Sequence, residues 1–119
     1  MITFDELQNT LNLLAQDINW MAHEKGFYDK PMNIGEKIAL CHSELSEALG
    51  AMRTRGDDHA EGRLMDEDCP GFANEVIEYA DCVIRILDLA HERGYRIGDA
   101  LVAKMQFNAG RPYKHGKEF

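Results

Sequence analysis

Two pairs of acidic residues, each with a spacing of three, are the residues of this sequence best suited to chemistry. Glu44 and Glu47 lie in one stretch with helical patterning, and Glu78 and Asp81 lie in the next. On a helix this spacing places both carboxylates on one face, close enough to share a ligand. Clustered carboxylates repel one another unless they are protonated or bound to cations, and oxygen-only ligands suit Mg²⁺ or Mn²⁺. The four acids therefore form a candidate metal and catalytic site, although a single such pair is usually a solvated surface.

A second group of candidate residues lies at the end of the chain and is basic. Lys104 and Asn108 are i,i+4 neighbours on a predicted helix, so both side chains can reach one ligand. Arginine holds phosphate oxygens in a bidentate fork, and lysine supplies a point charge. The other predicted phosphate-binding residues follow in a Pro- and Gly-containing tail: Arg111, Lys114 and His115. A divalent cation beside such a tail suits a nucleoside triphosphate, whereas a solvated basic terminus is the structural alternative.

Four helical stretches must position these residues. Capping-box patterns at Thr3–Glu6 and Asn33–Glu36 predict two helix starts, and Gly26 and Gly94 predict two helix ends. The predicted helices run over about 3–25, 33–55, 72–93 and 99–108. Apolar residues recur at helical spacing in the first three and predict core-facing sides that include Ile38, Leu45 and Leu49 in the second and Tyr79 and Val83 in the third. No segment alternates as a half-buried strand does. The predicted fold is therefore an all-α antiparallel four-helix bundle.

The 119 residues (13.5 kDa) predict a single domain, 1–119, with an acidic loop at 56–71 and a basic tail at 109–119. A monomer of this size buries only roughly two-thirds of its unfolded surface, so a site shared between subunits is expected. With 45% hydrophobic and 29% charged residues, the composition is that of a folded soluble protein.

Composition also excludes several kinds of partner. The net charge of −8 argues against nucleic acid, and no apolar run approaches a membrane span. The start of the chain lacks a secretion signal, so a cytoplasmic location is expected. Three cysteines without a CxxC motif predict reduced packing residues rather than a disulfide framework or a zinc site.

The ordered motifs resemble those of the MazG-like, all-α nucleoside triphosphate pyrophosphohydrolases. That family carries Glu-x-x-Glu on one helix and Glu-x-x-Asp on the next, as Glu44/Glu47 and Glu78/Asp81 do here, with a Lys and an Asn on the last helix that look like Lys104 and Asn108. The resemblance covers residues 3 to 117. It implies cleavage of a (d)NTP to (d)NMP and pyrophosphate with Mg²⁺, or Mn²⁺, held by the four acids, in a homodimer or homotetramer.

The resemblance also raises two questions about the site. Many relatives have a Glu directly before the first motif acid, sometimes proposed as the general base, whereas this chain has Ser43. The base would then be a metal-bound hydroxide or a carboxylate such as Glu47 or Glu75. The nucleobase is expected near Trp20, with hydrogen bonds from Asn19 or Gln16, although these residues suit a dimer interface equally well.

Three other functions remain open at the level of sequence. Phosphoribosyl-ATP pyrophosphohydrolase shares the fold and the metal chemistry, although its tail is not known to match the Arg-Pro-x-Lys-His-Gly-Lys ending seen here. A non-catalytic helical module would use the acidic loop and the Trp20 face to bind a partner. A nucleotide sensor that hydrolyses slowly is kept open by Ser43. Dependence on Mg²⁺ separates the enzymes from the interaction module.

Overall fold

The computed structural model describes residues 1–55 and 65–116, and these residues form an all-helical structure. The four helices are α1 (Phe4–Glu24), α2 (Ile34–Arg55), α3 (Asn74–Glu92) and α4 (Ile97–Ala109), followed by a 3₁₀ turn at Tyr113–Gly116. In the described part of the chain there is no strand, only an isolated bridge between Met65 and Ala73. The prediction of an all-α fold is confirmed. Residues 56–64 of the predicted acidic loop and 117–119 of the tail lie outside the described residues.

The local signals in the sequence act as predicted at the helix ends. Thr3 Oγ1 accepts from the Glu6 N–H at 3.1 Å, and Glu6 Oε2 accepts from the Thr3 N–H at 2.9 Å, which completes the capping box of α1. Asn33 Oδ1 accepts from the Glu36 N–H at the start of α2. The helix-ending glycines have left-handed φ values, +83° at Gly26 and +73° at Gly94.

The start of α3 differs from the prediction by two residues. Phe72 lies in a turn, because its N–H donates to the Cys69 carbonyl and its own carbonyl accepts from the Asp66 N–H. The helix therefore begins at Asn74, whose side chain is held by Asp66. Asp66 also accepts from the backbone N–H groups of Asp68 and Cys69, so one carboxylate organises the approach to α3.

Helix α3 is the element on which the other long helices pack. Helix α2 runs antiparallel to α3, as contacts of Cys41 with Cys82 and of Met52 with Tyr79 indicate. Helix α1 also packs on α3, where Asn19 donates to Asp88 and Glu92 at 3.0 Å. Helix α4 packs mainly on α1. Helices α1 and α2 thus share α3 as a common support.

The interior of the single chain is thin and made largely of small residues. No large side chain of the described residues is fully buried. The buried hydrophobic residues are Ala15, Ala48, Ala73, Cys82, Leu87, Ala90 and Val102. Asn19, Glu44, Asp66 and Glu75 are buried with them. The radius of gyration is 16.9 Å, larger than the roughly 13–14 Å of a compact domain of this length.

Many of the apolar residues predicted to form the core are instead half exposed. On α2 these include Ile38, Leu45 and Leu49, and on α3 they include Tyr79 and Val83. We call these five residues the apolar stripe. Tyr79 of the stripe also contacts Met52 of α2. Among the described residues, no helix is long and apolar enough to cross a membrane.

The attachment of α4 to α1 depends on one glycine and one asparagine. Asn12 Oδ1 accepts from the Gly98 N–H at 2.7 Å, and Asn12 Nδ2 donates to Asp99 at 2.8 Å. A Cβ on Gly98 would lie 2.2 Å from the Gln8 carbonyl oxygen, closer than any real contact. Only glycine therefore allows the two helices to approach this closely.

Gly98→Ala is expected to lower the free energy of unfolding by about 2 kcal/mol, because α4 must move away from the α1 backbone and stretch the Asn12 hydrogen bonds. Urea denaturation followed by circular dichroism measures the change. Gly50→Ala is the matched control: its Cβ would meet nothing within 4 Å in the interior of α2, so it should stabilise by up to about 1 kcal/mol. Equal stability of Gly98→Ala and wild type would contradict the close approach.

Candidate metal centre between α2 and α3

Three of the four predicted carboxylates meet where α2 packs on α3. Glu44, Glu47 and Glu78 each present an oxygen, and these oxygens all lie within 4.8 Å of one another. Glu44 is buried, Glu78 is partly buried and Glu47 is exposed, so the group opens to solvent on one side. The helical spacing within each pair and the antiparallel packing of the two helices produce this arrangement. We call these three residues the glutamate cluster.

Asp81 lies one turn after Glu78 but outside the glutamate cluster. It lines a cavity of about 260 Å³ together with Glu44 and Arg85 of the same helix pair. Burial, followed by the negative charge of Glu44, raises the pKa of the Asp81 carboxyl. The fourth predicted acid is therefore electrostatically coupled to the cluster and faces the adjacent cavity.

The carboxylates of the cluster differ in their protonation. Burial and the adjacent carboxyls of Glu44 and Glu47 raise the pKa of Glu78 to about 7. Burial alone would raise the pKa of Glu44 as well, but hydrogen bonds from Arg85 and from the neighbouring glutamates outweigh it and hold that pKa below its ordinary value. Near neutral pH, Glu44 is thus ionised and Glu78 shares its site with a proton.

One oxygen of the cluster lacks a partner. Glu78 Oε1 accepts a long 3.5 Å hydrogen bond from Asn74 Nδ2, whereas Glu78 Oε2 is shielded from solvent and has no hydrogen-bond partner in the described part of the protein. A buried carboxylate oxygen without a donor is costly; the proton that Glu78 shares with Glu44 or Glu47 relieves this cost in the metal-free protein, and a bound cation would replace that proton. Because the cluster contains oxygen ligands and neither His nor Cys, its chemistry fits Mg²⁺ or Mn²⁺.

Three residues of this region were not predicted from the sequence. Arg85 donates from Nε to Glu44 Oε1 at 2.7 Å, and Asn74 bridges Asp66 Oδ1 and Glu78. The signal for Arg85 and Asn74 was present in the helical spacing, since Asn74, Glu78, Asp81 and Arg85 follow one another at i,i+4, i,i+3 and i,i+4. No comparable spacing marks Asp66, which precedes the helix.

Ser43 stands at the position where many MazG-like proteins have a Glu, and its hydroxyl is engaged in a hydrogen bond. Its hydroxyl donates to the Leu40 carbonyl of the preceding turn at 2.8 Å. Glu75, one of the alternative bases, is buried with 8% of its surface exposed, whereas Glu47 is exposed. Glu47 is therefore the carboxylate of the cluster that water reaches most readily.

The predicted phosphate-binding residues lie on α4 and the turn that follows it. Lys104 Nζ lies 4.7 Å from the centre of the Phe107 ring, and Arg111 Cζ lies 5.6 Å from the same ring, so one aromatic side chain gathers two cations. Asn108 Oδ1 is shielded from solvent without a partner among the described residues. Lys114 has a left-handed φ of +55° within the 3₁₀ turn. The side chain of His115 lies outside the described part.

The predicted base-binding residues of α1 are divided between different surroundings. Asn19 is buried and used in packing, because its amide donates to Asp88 and Glu92. Gln16 lines a larger cavity of about 590 Å³ with Tyr95 and Arg96, and Trp20 is 63% exposed. These three residues do not converge on the glutamate cluster within one chain.

No family model, curated protein or solved structure matches the chain. The resemblance in the motifs therefore stays a prediction.

The free energy of unfolding of the metal-free protein should fall as the pH rises from about 5 to about 7.5. Folded Glu78 keeps its proton up to about pH 7, whereas in the unfolded chain the carboxyl ionises near its ordinary pKa of 4.5. Between these values the unfolded state binds fewer protons, so raising the pH favours unfolding.

Glu78→Gln should reduce this slope, leaving the part that the raised pKa of Asp81 contributes, and should stabilise the protein at pH 7.5 by an amount on the order of 1 kcal/mol, given the partial exposure of the site. Urea titrations in EDTA across this pH range measure the effect. Glu67→Gln, which removes an exposed carboxylate outside the cluster, should keep the wild-type slope. An unchanged slope in Glu78→Gln would show that Glu78 does not bind the proton.

Proposed function

We propose that this protein is a metal-dependent nucleoside triphosphate pyrophosphohydrolase of the MazG-like type, which hydrolyses a (d)NTP to (d)NMP and pyrophosphate in the cytoplasm. The observation that carries the proposal is the glutamate cluster with the unpartnered, buried Glu78 Oε2. Such an oxygen, beside two further carboxylates, needs either a proton or a cation, and a divalent cation would satisfy all three carboxylates at once.

The cation would be held by Glu44, Glu47 and Glu78, with Asp81 one turn away on the same helix. When bound, Mg²⁺ or Mn²⁺ supplies charge stabilisation to a phosphoryl group and lowers the pKa of water. Glu78 gives up its proton when its oxygens serve as ligands. Because carboxylate ligands favour hard ions, Mg²⁺ is the proposed natural cofactor.

Side chains of this protein would remove the proton from water and bind the departing pyrophosphate. Glu47 is exposed at the mouth of the cluster, so we assign it the removal of a proton from the attacking water. Ser43 is a poor base because a neutral hydroxyl is weakly basic, and its hydroxyl donates to the Leu40 carbonyl. Lys104 and Arg111 would bind the departing pyrophosphate. Both lie near the Phe107 ring, so two positive charges are close enough to act on one anion.

The site is proposed to be completed by a second copy of the chain, as a homodimer or homotetramer. Helix α4 begins against Gln8 and Asn12 of α1, whereas the glutamate cluster lies between α2 and α3. The apolar stripe is half exposed in one chain, and covering it against another copy removes apolar area from water. Self-association would bury the stripe, and we propose that it also brings the basic tail of one copy to the glutamate cluster of another.

Glu47→Gln should reduce the pyrophosphate-releasing turnover of its preferred (d)NTP at least about 100-fold, because it removes both a ligand and the proposed base. The measurement is a Mg²⁺-dependent assay over the common NTPs and dNTPs that resolves pyrophosphate from orthophosphate. Glu36→Gln, an exposed glutamate on the same helix, should retain wild-type turnover.

Equal turnover of Glu47→Gln and wild type would contradict the site. A folded protein without turnover in Mg²⁺ or Mn²⁺ would favour the non-catalytic binding module instead.

Leu45→Glu should shift the protein towards monomer, with at least a 10-fold rise in the dissociation constant, because it places a charge within the apolar stripe. Sedimentation equilibrium over a range of concentrations measures it. Ser46→Glu is the matched control, since it adds the same charge to an exposed position one residue along α2. A monomeric wild-type protein at all concentrations would contradict the proposed interface.

A further inference from the structure

Arg85 is the cation that contacts the glutamate cluster directly. Its Nε donates to Glu44 Oε1 at 2.7 Å, the length of a strong charge-assisted hydrogen bond. Glu44 is also within 4.8 Å of the other two carboxylates of the cluster. One carboxylate is therefore shared between the guanidinium and the group proposed to hold the divalent cation.

The two partners of this ion pair differ in their freedom to move. The Glu44 side chain is 8% exposed and is enclosed between α2 and α3, whereas the Arg85 side chain is 39% exposed. Arg85 also lines the 260 Å³ cavity, where Lys37 supplies a second cation and Asp81 and Asp88 supply carboxylates. If the pair separates, Glu44 stays in place and Arg85 has room to turn into this cavity.

A divalent cation on Glu44 would weaken the hold of that carboxylate on Arg85. The cation neutralises the charge that attracts the guanidinium and also repels the guanidinium directly, and both effects are strong in a partly buried site. A guanidinium carries donors only, so its next partner must be an acceptor. A phosphate oxygen of a triphosphate bound at the cluster is anionic and accepts the bidentate fork of arginine.

We propose that Arg85 binds the substrate, exchanging Glu44 for a substrate phosphate when a divalent cation binds the cluster. The inference rests on the proposed function, because it takes the cluster as a cation site and a triphosphate as the ligand. Without the phosphate, Arg85 competes with the cation for Glu44. With both present, the two ligands assist each other, and this coupling is reciprocal by thermodynamic necessity.

The test measures binding rather than turnover. Mn²⁺ binding is followed by electron paramagnetic resonance and calorimetry, alone and with inorganic tripolyphosphate, which carries three phosphates and no base. Tripolyphosphate also binds Mn²⁺ in solution, but equally for every variant, so differences among variants report the protein. The variants are Arg85→Gln and Arg85→Lys, with Arg96→Gln as the matched control that removes an arginine–aspartate pair on α4.

In wild type, tripolyphosphate should tighten Mn²⁺ binding by about 10-fold, within the usual range of coupling between sites. Arg85→Gln should bind Mn²⁺ alone about 5-fold more tightly than wild type and lose most of the coupling. Arg85→Lys should keep the competition but only part of the coupling, because lysine lacks the bidentate fork. Arg96→Gln should behave as wild type.

Two results would overturn the proposal. If Arg85→Gln binds Mn²⁺ alone no more tightly than wild type, Arg85 does not compete for Glu44; if it retains the full coupling to tripolyphosphate, Arg85 does not reach the phosphate. Failure of the proposed function itself looks different: wild type and Glu47→Gln would then bind Mn²⁺ equally weakly, and the inference about Arg85 would fall with it. Melting temperatures of all variants verify that each is folded.

Discussion

Repulsion among the carboxylates between α2 and α3 is the constraint that the rest of the structure must satisfy. The charge is relieved in separate ways within a few ångströms: Glu78 binds a proton near neutral pH, Glu44 bonds to Arg85, and the Asn74 amide contacts Glu78. Glu78 Oε2 still accepts no hydrogen bond in the described structure. The charge between the two helices is therefore balanced by a proton and an ion pair that a cation can replace.

The small interior and the exposed apolar residues are two aspects of the same packing. Helices α1 and α2 both pack on α3, and no large side chain of the described residues is fully buried between them. Alanines at positions 15, 48 and 90 allow the backbones to approach, and polar bonds such as Asn19 to Asp88 supply specificity. A single chain of this kind exposes much apolar surface, which is the physical basis of the proposed self-association.

Features that depend on local chain physics were predictable from the sequence. The capping box at Thr3, the glycines at 26 and 94, and the convergence of Glu44, Glu47 and Glu78 follow from backbone hydrogen bonding and the 3.6-residue period. The packing partner of each helix was not predictable, because an apolar stripe does not reveal which surface covers it. Leu45, for example, lies on a predicted core face but is half exposed. Asn19, predicted to bind the nucleobase, bonds within one chain to Asp88 of α3. Asp66 was missed because its partners are mainly backbone amides.

Asp66 separates a segment whose length can vary from one whose length cannot. Its carboxylate binds two backbone amides and Asn74, so the first turn of α3 is positioned by residues 66–74 themselves. The 30 residues that separate Glu47 from Glu78 therefore need not keep a constant number. Insertions or deletions between Arg55 and Met65 would leave the rotation of α3, and with it the direction of Glu78, unchanged. Variation in length is thus expected to accumulate before Asp66, whereas the spacing from Asp66 to Glu78 is expected to be invariant.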